Sequence, residues 1–215
     1  PMQPWFRWLQ AVTRAGLLLM DGALERAEPA IERAFEQGRS LDNPWALLFF
    51  VAQRVGLERA RGTPQSLESL LRSPDLGIRG TAALVRATLA SVQLELGRAD
   101  AARDTLDATA ARGFEALPRD SVCLATHVQL AHVTASLEDR SRCAELSALS
   151  DPYAALHVTL PYVVAYGGPV AHALARIAAV CGDDARARTH FESARLAAQR
   201  VGARIAQLRI ELDLG

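Results

Sequence analysis

The amino-acid sequence predicts an all-α protein in which antiparallel helix pairs stack side by side. Half of the 215 residues are hydrophobic, Ala alone occurs 40 times and all 24 basic residues are Arg, so good helix formers dominate. Aromatic residues make up only 6% of the chain, and long β-branched runs are scarce. A spaced pattern of Gly and Ala also recurs along the chain, which is typical of helical repeats.

The recurring pattern consists of a Gly, an Ala five residues later, a large apolar residue four further on and a small residue about three after that. Another Ala precedes each Gly by seven residues. The Gly can close a tight turn between two helices, and the two Ala side chains allow those helices to cross closely. Because such a pair cannot bury its apolar face alone, neighbouring pairs must stack. The three copies are Ala15, Gly22, Ala27, Ile31 and Ala34; Ala90, Gly97, Ala102, Leu106 and Thr109; and Ala175, Gly182, Ala187, Phe191 and Ala194.

These positions resemble the tetratricopeptide repeat (TPR). The resemblance implies a TPR-like right-handed α-solenoid of about five antiparallel helix pairs plus a terminal helix, forming one domain over residues 1–215. The strong turns are 75 and 85 residues apart. Each interval fits two pairs, so we expect weaker turns at Gly62 and near Asp139, with Ala144 five residues after the latter. The predicted helices are 4–20, 23–38, 44–61, 64–73, 79–96, 99–113, 120–137, 140–149, 169–181, 184–201 and 203–213.

The segment 150–169 interrupts the helical pattern. It holds two interior prolines, a β-branched cluster and a Gly-Gly-Pro sequence. All three tyrosines of the chain, Tyr153, Tyr162 and Tyr166, lie in it together with His157. We therefore expect an inserted loop, with a short helix around 152–157, that leads from the fourth helix pair to the fifth and gates a ligand groove.

The last third of the chain resembles a more specific family. The features that carry the resemblance follow in order: LPY at 160–162, Gly168-Pro169 opening a helix, the run Leu174 to Gly182, His190-Phe191, and Val201-Gly202-Ala203. This region is similar to the C-terminal helical-repeat region of large bacterial signalling ATPases. Those proteins combine an AAA-type or NTPase module with a LuxR-type DNA-binding domain, a nucleotide-cyclase domain or a kinase domain.

The close resemblance covers about residues 156–213, and the rest of the chain matches only as degenerate TPR. It implies a non-catalytic interaction or sensor module of a signalling or transcriptional regulator. The implied partners are a protein segment or small effector and the other domains of a longer parent protein. The leading Pro1-Met2 looks like a cleavage scar, which agrees with a fragment of such a parent.

Charge and cysteine content exclude several other classes of protein. The 24 acidic residues balance the 24 basic ones, which argues against direct nucleic-acid binding and against binding to a membrane surface. Cys123, Cys143 and Cys181 form no CxxC motif, so a reduced, cytoplasmic location is expected. The apolar stretch from Ala15 to Met20 is too short to span a bilayer, and no signal peptide is visible.

The inner wall of a TPR superhelix is lined by the first helix of each pair. Alignment of the repeats places Leu94, Val133 and Val180 there as apolar positions. The mixture of polar and apolar side chains suits a peptide or a small molecule better than a strongly acidic tail. The polar groove candidates are Arg59, Glu95, Thr126, Gln129, His172 and Arg176.

No catalytic motif, resident cofactor site or metal site is indicated. The sequence has no Walker A motif, nucleophile elbow or HExxH motif. Cys123 and His127 share a helix face, but two further zinc ligands are missing, so a packed Cys beside a partly exposed His is the better interpretation. Asp183 and Asp184 stand where a helix begins, which favours capping over catalysis. We therefore predict that the chain is not an enzyme.

A structural homo-oligomerisation scaffold is the alternative. The N-terminal residues Trp5, Phe6, Trp8 and Leu9 would then be exposed interface anchors. Aromatic clusters of this kind favour protein interfaces.

Overall fold

A computed structural model describes residues 3–73, 76 and 81–214, and over these residues the chain is mostly helical. Most predicted helix boundaries agree with the structure to within about three residues. The predicted helix 64–73 is a 3-10 turn, Pro64–Ser66, followed by a short α-helix, and residues 79–80 of the next prediction lie outside the described residues. The predicted helix 99–113 ends at Thr109. The α-helices of the described ranges are α1 Pro4–Met20, α2 Leu24–Ser40, α3 Ala46–Arg61, α4 Leu67–Leu71, α5 Ala82–Glu95, α6 Ala99–Thr109, α7 Cys123–Ser136, α8 Arg140–Ser150, α9 Val170–Cys181, α10 Asp184–Arg200 and α11 Arg204–Leu214.

The helix pairs are joined by tight turns that share one hydrogen-bond pattern. At the turn between α9 and α10, Gly182 has a φ of 82°, a left-handed conformation that costs a glycine little. The amide of Asp183 donates to the carbonyl of Ala178 and the amide of Gly182 donates to that of Ala179, which is a Schellman motif. Asp183 also accepts a side-chain hydrogen bond from the amide of Arg186, as the capping interpretation predicts. The same backbone pattern occurs at Gly22, Gly62 and Gly97.

The small residues of the repeated pattern are buried where paired helices cross. Ala15, Ala90 and Ala175, on the first helix of their pairs, have no exposed surface. Large side chains could not occupy these positions without separating the helices, because protein interiors are close-packed. The partner positions on the second helices are likewise buried: Ala27, Ala102 and Ala187, with Ile31, Leu106 and Phe191 beside them.

The turn near Asp139 is present, but its predicted register is wrong by one residue. Glu138, not Asp139, takes the left-handed conformation, with a φ of 54°. The residue five positions later is then Cys143, which is completely buried and fills the crossing, whereas Ala144 is exposed. The missing Gly hid the correct register in the sequence. Ala131, seven residues before Glu138, is buried as the pattern requires.

Helices contact each other both within a pair and between successive pairs. Within pairs, α1 packs on α2, α5 on α6, α7 on α8 and α9 on α10. Between pairs, α1 contacts α3, α5 contacts α7, and α7 contacts α9. The last helix, α11, packs on α10 and also reaches α1, so the first and last described helices meet.

The segment 150–169, predicted as an inserted loop, contains two short strands and two 3-10 turns. Of the short helix expected around 152–157, the structure has only one 3-10 turn, Asp151–Tyr153. Strands β1, His157–Thr159, and β2, Tyr166–Pro169, follow and pair antiparallel. The region therefore forms a small hairpin, and β-branched residues fit such strands well.

The tip of this hairpin is anchored in the N-terminal helices. Val164 is completely buried and packs in one cluster with Trp8 and Phe49. The side-chain amide of Gln53, on α3, donates to the carbonyl oxygens of Val12 and Val164, at 2.8 and 3.0 Å. One buried amide thus ties α1, α3 and the hairpin together.

The expectation that Trp8 is an exposed anchor is wrong. Trp8 is 1% exposed, its indole Nε1 donates to the carbonyl of Ala34, and its ring stacks on Phe49. The helical period explains this, because Trp8 and Val12 share the buried face of α1 while Trp5 and Phe6 lie outside it. Trp5 and Phe6 remain exposed.

Two helical glycines should respond oppositely to replacement by Ala. A Cβ at Gly16 would lie 2.1 Å from the carbonyl oxygen of Val163, so G16A should displace the hairpin tip and cost about 1–3 kcal/mol of unfolding free energy. A Cβ at Gly56 meets only the end of Leu19 at 3.5 Å, so G56A should stabilise the protein by about 0.5–1 kcal/mol. Urea denaturation of both variants measures the two changes. A stable G16A variant would mean that the hairpin does not dock on α1.

Candidate functional site

A cleft of about 720 Å³ opens between the first helices of successive pairs. Its walls come from α3, α5, α7 and α9, and α11 and the hairpin close it on two further sides. The small residues of the repeat lie at the crossings within pairs, and other residues of these helices line the cleft. A volume of this size is typical of a small-molecule site.

The two ends of the cleft differ in polarity. The early turns of the wall helices contribute apolar side chains, among them Leu48, Leu84 and Val122, and the hairpin adds Leu160 and Tyr162. The late turns of α3, α5 and α7 contribute charged and polar side chains, as do α9 and the helix α11. The cleft therefore has a more apolar end and a more polar end.

One ion pair at the polar end joins α3 to α5. The Arg59 Nε lies 2.9 Å from a carboxylate oxygen of Glu95, and the same guanidinium donates to the hydroxyl of Ser91. Only about a tenth of the Arg59 side chain is exposed, at 11%. The Arg59 side chain is therefore largely shielded from solvent while that of Glu95, 36% exposed, is not, and the ion pair links the two walls.

A second polar network joins α7, α9 and α11. The Nε2 of His172 donates to Asp213 at 2.7 Å, and the Arg176 guanidinium lies 3.5 Å from the same carboxylate. Arg176 also donates to Ser136 and, at 3.3 Å, to the Nδ1 of His132. Burial raises the pKa of Asp213, but the hydrogen bond from His172 and the charge of Arg176 outweigh it and lower that pKa overall. The network fastens the C-terminal helix over the cleft.

Arg209 is the third cation at this end. Its side chain is exposed to solvent and lines the cleft, where nearby protein removes part of its hydration. This loss of hydration, together with repulsion from Arg59, lowers the pKa of Arg209 to about 10, against a smaller raising effect of Glu95. Among the described residues no carboxylate lies within 4.0 Å of it.

His132 remains neutral in the folded protein. Burial is the main cause that lowers its pKa well below the ordinary value, and repulsion from His172, Arg176, Arg209 and Arg59 lowers it further. Because its Nδ1 accepts a hydrogen bond from Arg176, the ring proton is on Nε2.

Most of the predicted polar groove residues line the same cleft. Arg59 and Glu95 lie at one side of the polar end, His172 and Arg176 lie at the other, and Gln129 lies between them. These five residues lie on α3, α5, α7 and α9, the helices that form the cleft walls.

Thr126 is a correction to this prediction. Its side chain is buried, its hydroxyl donates to the carbonyl of Val122 on its own helix, and it does not line the cleft. The predicted apolar positions also point elsewhere: Val133 is completely buried, and Leu94 and Val180 pack against the same core cluster. The alignment placed these four residues on the inner face, but they lie on the faces that contact neighbouring helices.

The hairpin residues divide into two groups. Tyr162 and Tyr166 line the cleft, whereas Tyr153 and His157 do not. The His157 Nδ1 and the Tyr166 hydroxyl are 2.6 Å apart. Burial raises the pKa of Tyr166 to about 12, so its hydroxyl remains protonated and donates to the imidazole.

Sequence reasoning did not identify His132, Arg209 and Asp213. His132 is three residues after Gln129 and lies on the same helix face, so this spacing could have indicated that His132 also lines the groove. No sequence signal indicated Arg209 or Asp213, because the placement of α11 against the cleft depends on its contact with α1.

The described residues contain no cluster of three His, Cys, Asp or Glu side chains suited to a metal ion. The Cys123 sulfur and the His127 Nε2 are 3.9 Å apart. Burial raises the pKa of the Cys123 thiol and lowers the pKa of the His127 imidazole. Within the same part of the chain, no helix is both long and apolar enough to cross a membrane.

Comparison with known proteins found no relatives. No protein-family model matches the chain, and searches of the curated proteins and of the solved structures also returned no match.

The half-buried His132 should make stability depend on pH. Its pKa is near 6.5 in the unfolded chain and lower in the folded protein, so only the unfolded state gains this proton as pH falls below about 6.5. Unfolding free energy should therefore rise from pH 5 to pH 7.5. In H132N, whose amide oxygen can replace the Nδ1 acceptor, this slope should decrease by up to about 1.4 kcal/mol per pH unit.

Urea denaturation across this pH range measures the slope. H190N is the comparison variant, because burial lowers the pKa of His190 less strongly. Equal slopes in H132N and the wild type would show that His132 is not desolvated in the folded state.

Proposed function

We propose that the chain is a non-catalytic, TPR-like interaction and sensor module of a bacterial signalling or transcriptional regulator. Its central cleft binds a small effector or a protein segment, and the hairpin 150–169 forms one wall of that site. The observation that carries this proposal is the amphipathic cleft between successive first helices. Other domains of a longer parent protein are the proposed recipients of the signal, without direct contact with nucleic acid.

The helix contacts support a repeat solenoid. In a TPR-like stack each first helix packs on its own second helix and on the first helix of the next pair. The contacts of α5 with α6 and α7, and of α7 with α8 and α9, follow this rule. The repeated Schellman turns and the buried Ala residues at the crossings agree with it as well.

The assignment to signalling regulators rests on the resemblance of residues 156–213. A binding role is supported by the way the cleft is built. Leu48 and Leu84 pack against neighbouring core clusters but stay partly exposed and also line the cleft, and an apolar surface open to a cleft is typical of a ligand site.

Binding of the neutral dye Nile red tests the proposal. The dye should bind the protein with enhanced fluorescence, because apolar surfaces inside a cleft exclude water from it. Gln129 lies in the middle of the cleft wall, so Q129W should fill the space and weaken dye binding by about tenfold or more. The matched control is Q199W, at an exposed position of α10 outside the cleft. Equal binding by both variants would exclude the cleft as the site.

Homo-oligomerisation remains the alternative function. It is favoured by the exposed Trp5 and Phe6 at the start of α1, with exposed fractions of 38% and 55%. If these rings form an interface, W5A/F6A should lower the mass measured by light scattering. A wild-type protein that stays monomeric at high concentration would contradict this alternative.

A further inference from the structure

We propose that the cleft binds a small amphipathic molecule with a single negative charge, whose acidic group pairs with Arg209 and whose apolar body lies along α3 and α5. This inference rests on the proposed function above and names the chemistry of the ligand.

Charge arithmetic at the polar end indicates a monoanion. Three guanidinium groups face two carboxylates there. Arg59 pairs with Glu95 and Arg176 pairs with Asp213, which leaves Arg209 without a carboxylate within 4.0 Å in the described part of the chain. One additional negative charge balances the site.

Arg209 differs from an ordinary surface arginine, which water solvates fully. Its side chain lines the cleft without a carboxylate partner in the described residues, the cleft removes part of its hydration, and Arg59 repels it. The last two effects disfavour the charged group in the empty site, and an anion would offset both. A guanidinium also matches a carboxylate with two parallel hydrogen bonds, which a neutral ligand cannot form.

Other negative groups near the cleft do not neutralise Arg209. Asp120 lines the opposite, apolar end, where its carboxylate accepts a hydrogen bond from the amide of Val122. The C-terminal end of α3 carries a partial negative charge, but the amides of Gly62 and Thr63 already donate to its last carbonyls. Neither group replaces a counter-ion at Arg209.

The apolar part of the cleft indicates the second property of the ligand, which is an apolar body. From Leu48 to Arg59 the wall helix α3 rises by about 16 Å over eleven residues. Leu84, Val85 and Val122 face the same space and offer no charged partner. A ligand that uses both ends must therefore carry its acidic group at one end of an apolar body.

Displacement of Nile red by three amphiphiles of equal chain length tests this charge preference. The competitors are decanoate and decyltrimethylammonium, each kept below its micellar concentration, and 1-decanol, kept below its solubility limit. Decanoate should displace the dye at a concentration about tenfold or more below the other two, because only the anion forms an ion pair with the guanidinium. An N-acetylated apolar tripeptide with a free carboxylate is a fourth competitor, and tighter binding of the peptide than of decanoate would overturn the small-molecule assignment.

Variants of Arg209 locate the acidic group. R209M should remove the preference for decanoate over decanol, while R209K should keep part of it. The matched control R204M deletes a charge from an exposed position of the same helix outside the cleft lining, and it should leave the preference unchanged. If dye binding is blocked by Q129W but decanoate and decanol compete equally, the charge assignment is wrong and the cleft remains a binding site. If Q129W has no effect on dye binding, the proposed function itself fails.

Discussion

Close contact between small side chains at the helix crossings determines how this protein can be built. Ala15, Ala90 and Ala175 allow each first helix to lie directly against its partner, and the Schellman turns hold the two helices at short connection lengths. Once one face of a first helix is used in this contact, its other faces must pack on the next pair or remain open. The cleft is the surface that remains open.

The hairpin closes what the helices alone would leave as an open groove. Its tip packs into the N-terminal cluster, where Gln53 supplies hydrogen bonds to two carbonyl oxygens from different parts of the chain. Burying an amide is favourable only when its hydrogen bonds are satisfied, so this contact specifies one position of the hairpin. To turn the tip into that position, Tyr162 and Val163 adopt left-handed backbone conformations, with φ of 58° and 55°. These conformations are energetically unfavourable for residues other than glycine.

Electrostatics then distinguish the two ends of the cleft. Ion pairs at the polar end connect helices far apart in the sequence, such as α3 with α5 and α9 with α11. They fix the walls and leave one cation without a partner in the described residues. His132 beside this group stays neutral mainly because burial disfavours its charged form, and repulsion from His172 and the arginines lowers its pKa further.

The sequence by itself determined the helical class, most helix boundaries and the crossing residues, because Gly and Ala at fixed spacing act locally. Five of the polar groove candidates chosen from the sequence line the cleft: Arg59, Glu95, Gln129, His172 and Arg176. They could be chosen because residues at equivalent positions of the first helices converge when such helices pack side by side. The register at Glu138, the hairpin, the burial of Trp8 and the contributions of Arg209 and Asp213 were decided only by the tertiary structure. These features depend on contacts between segments up to about two hundred residues apart, such as α1 with α11. The spacing of residues within one segment does not indicate which distant segment it will contact.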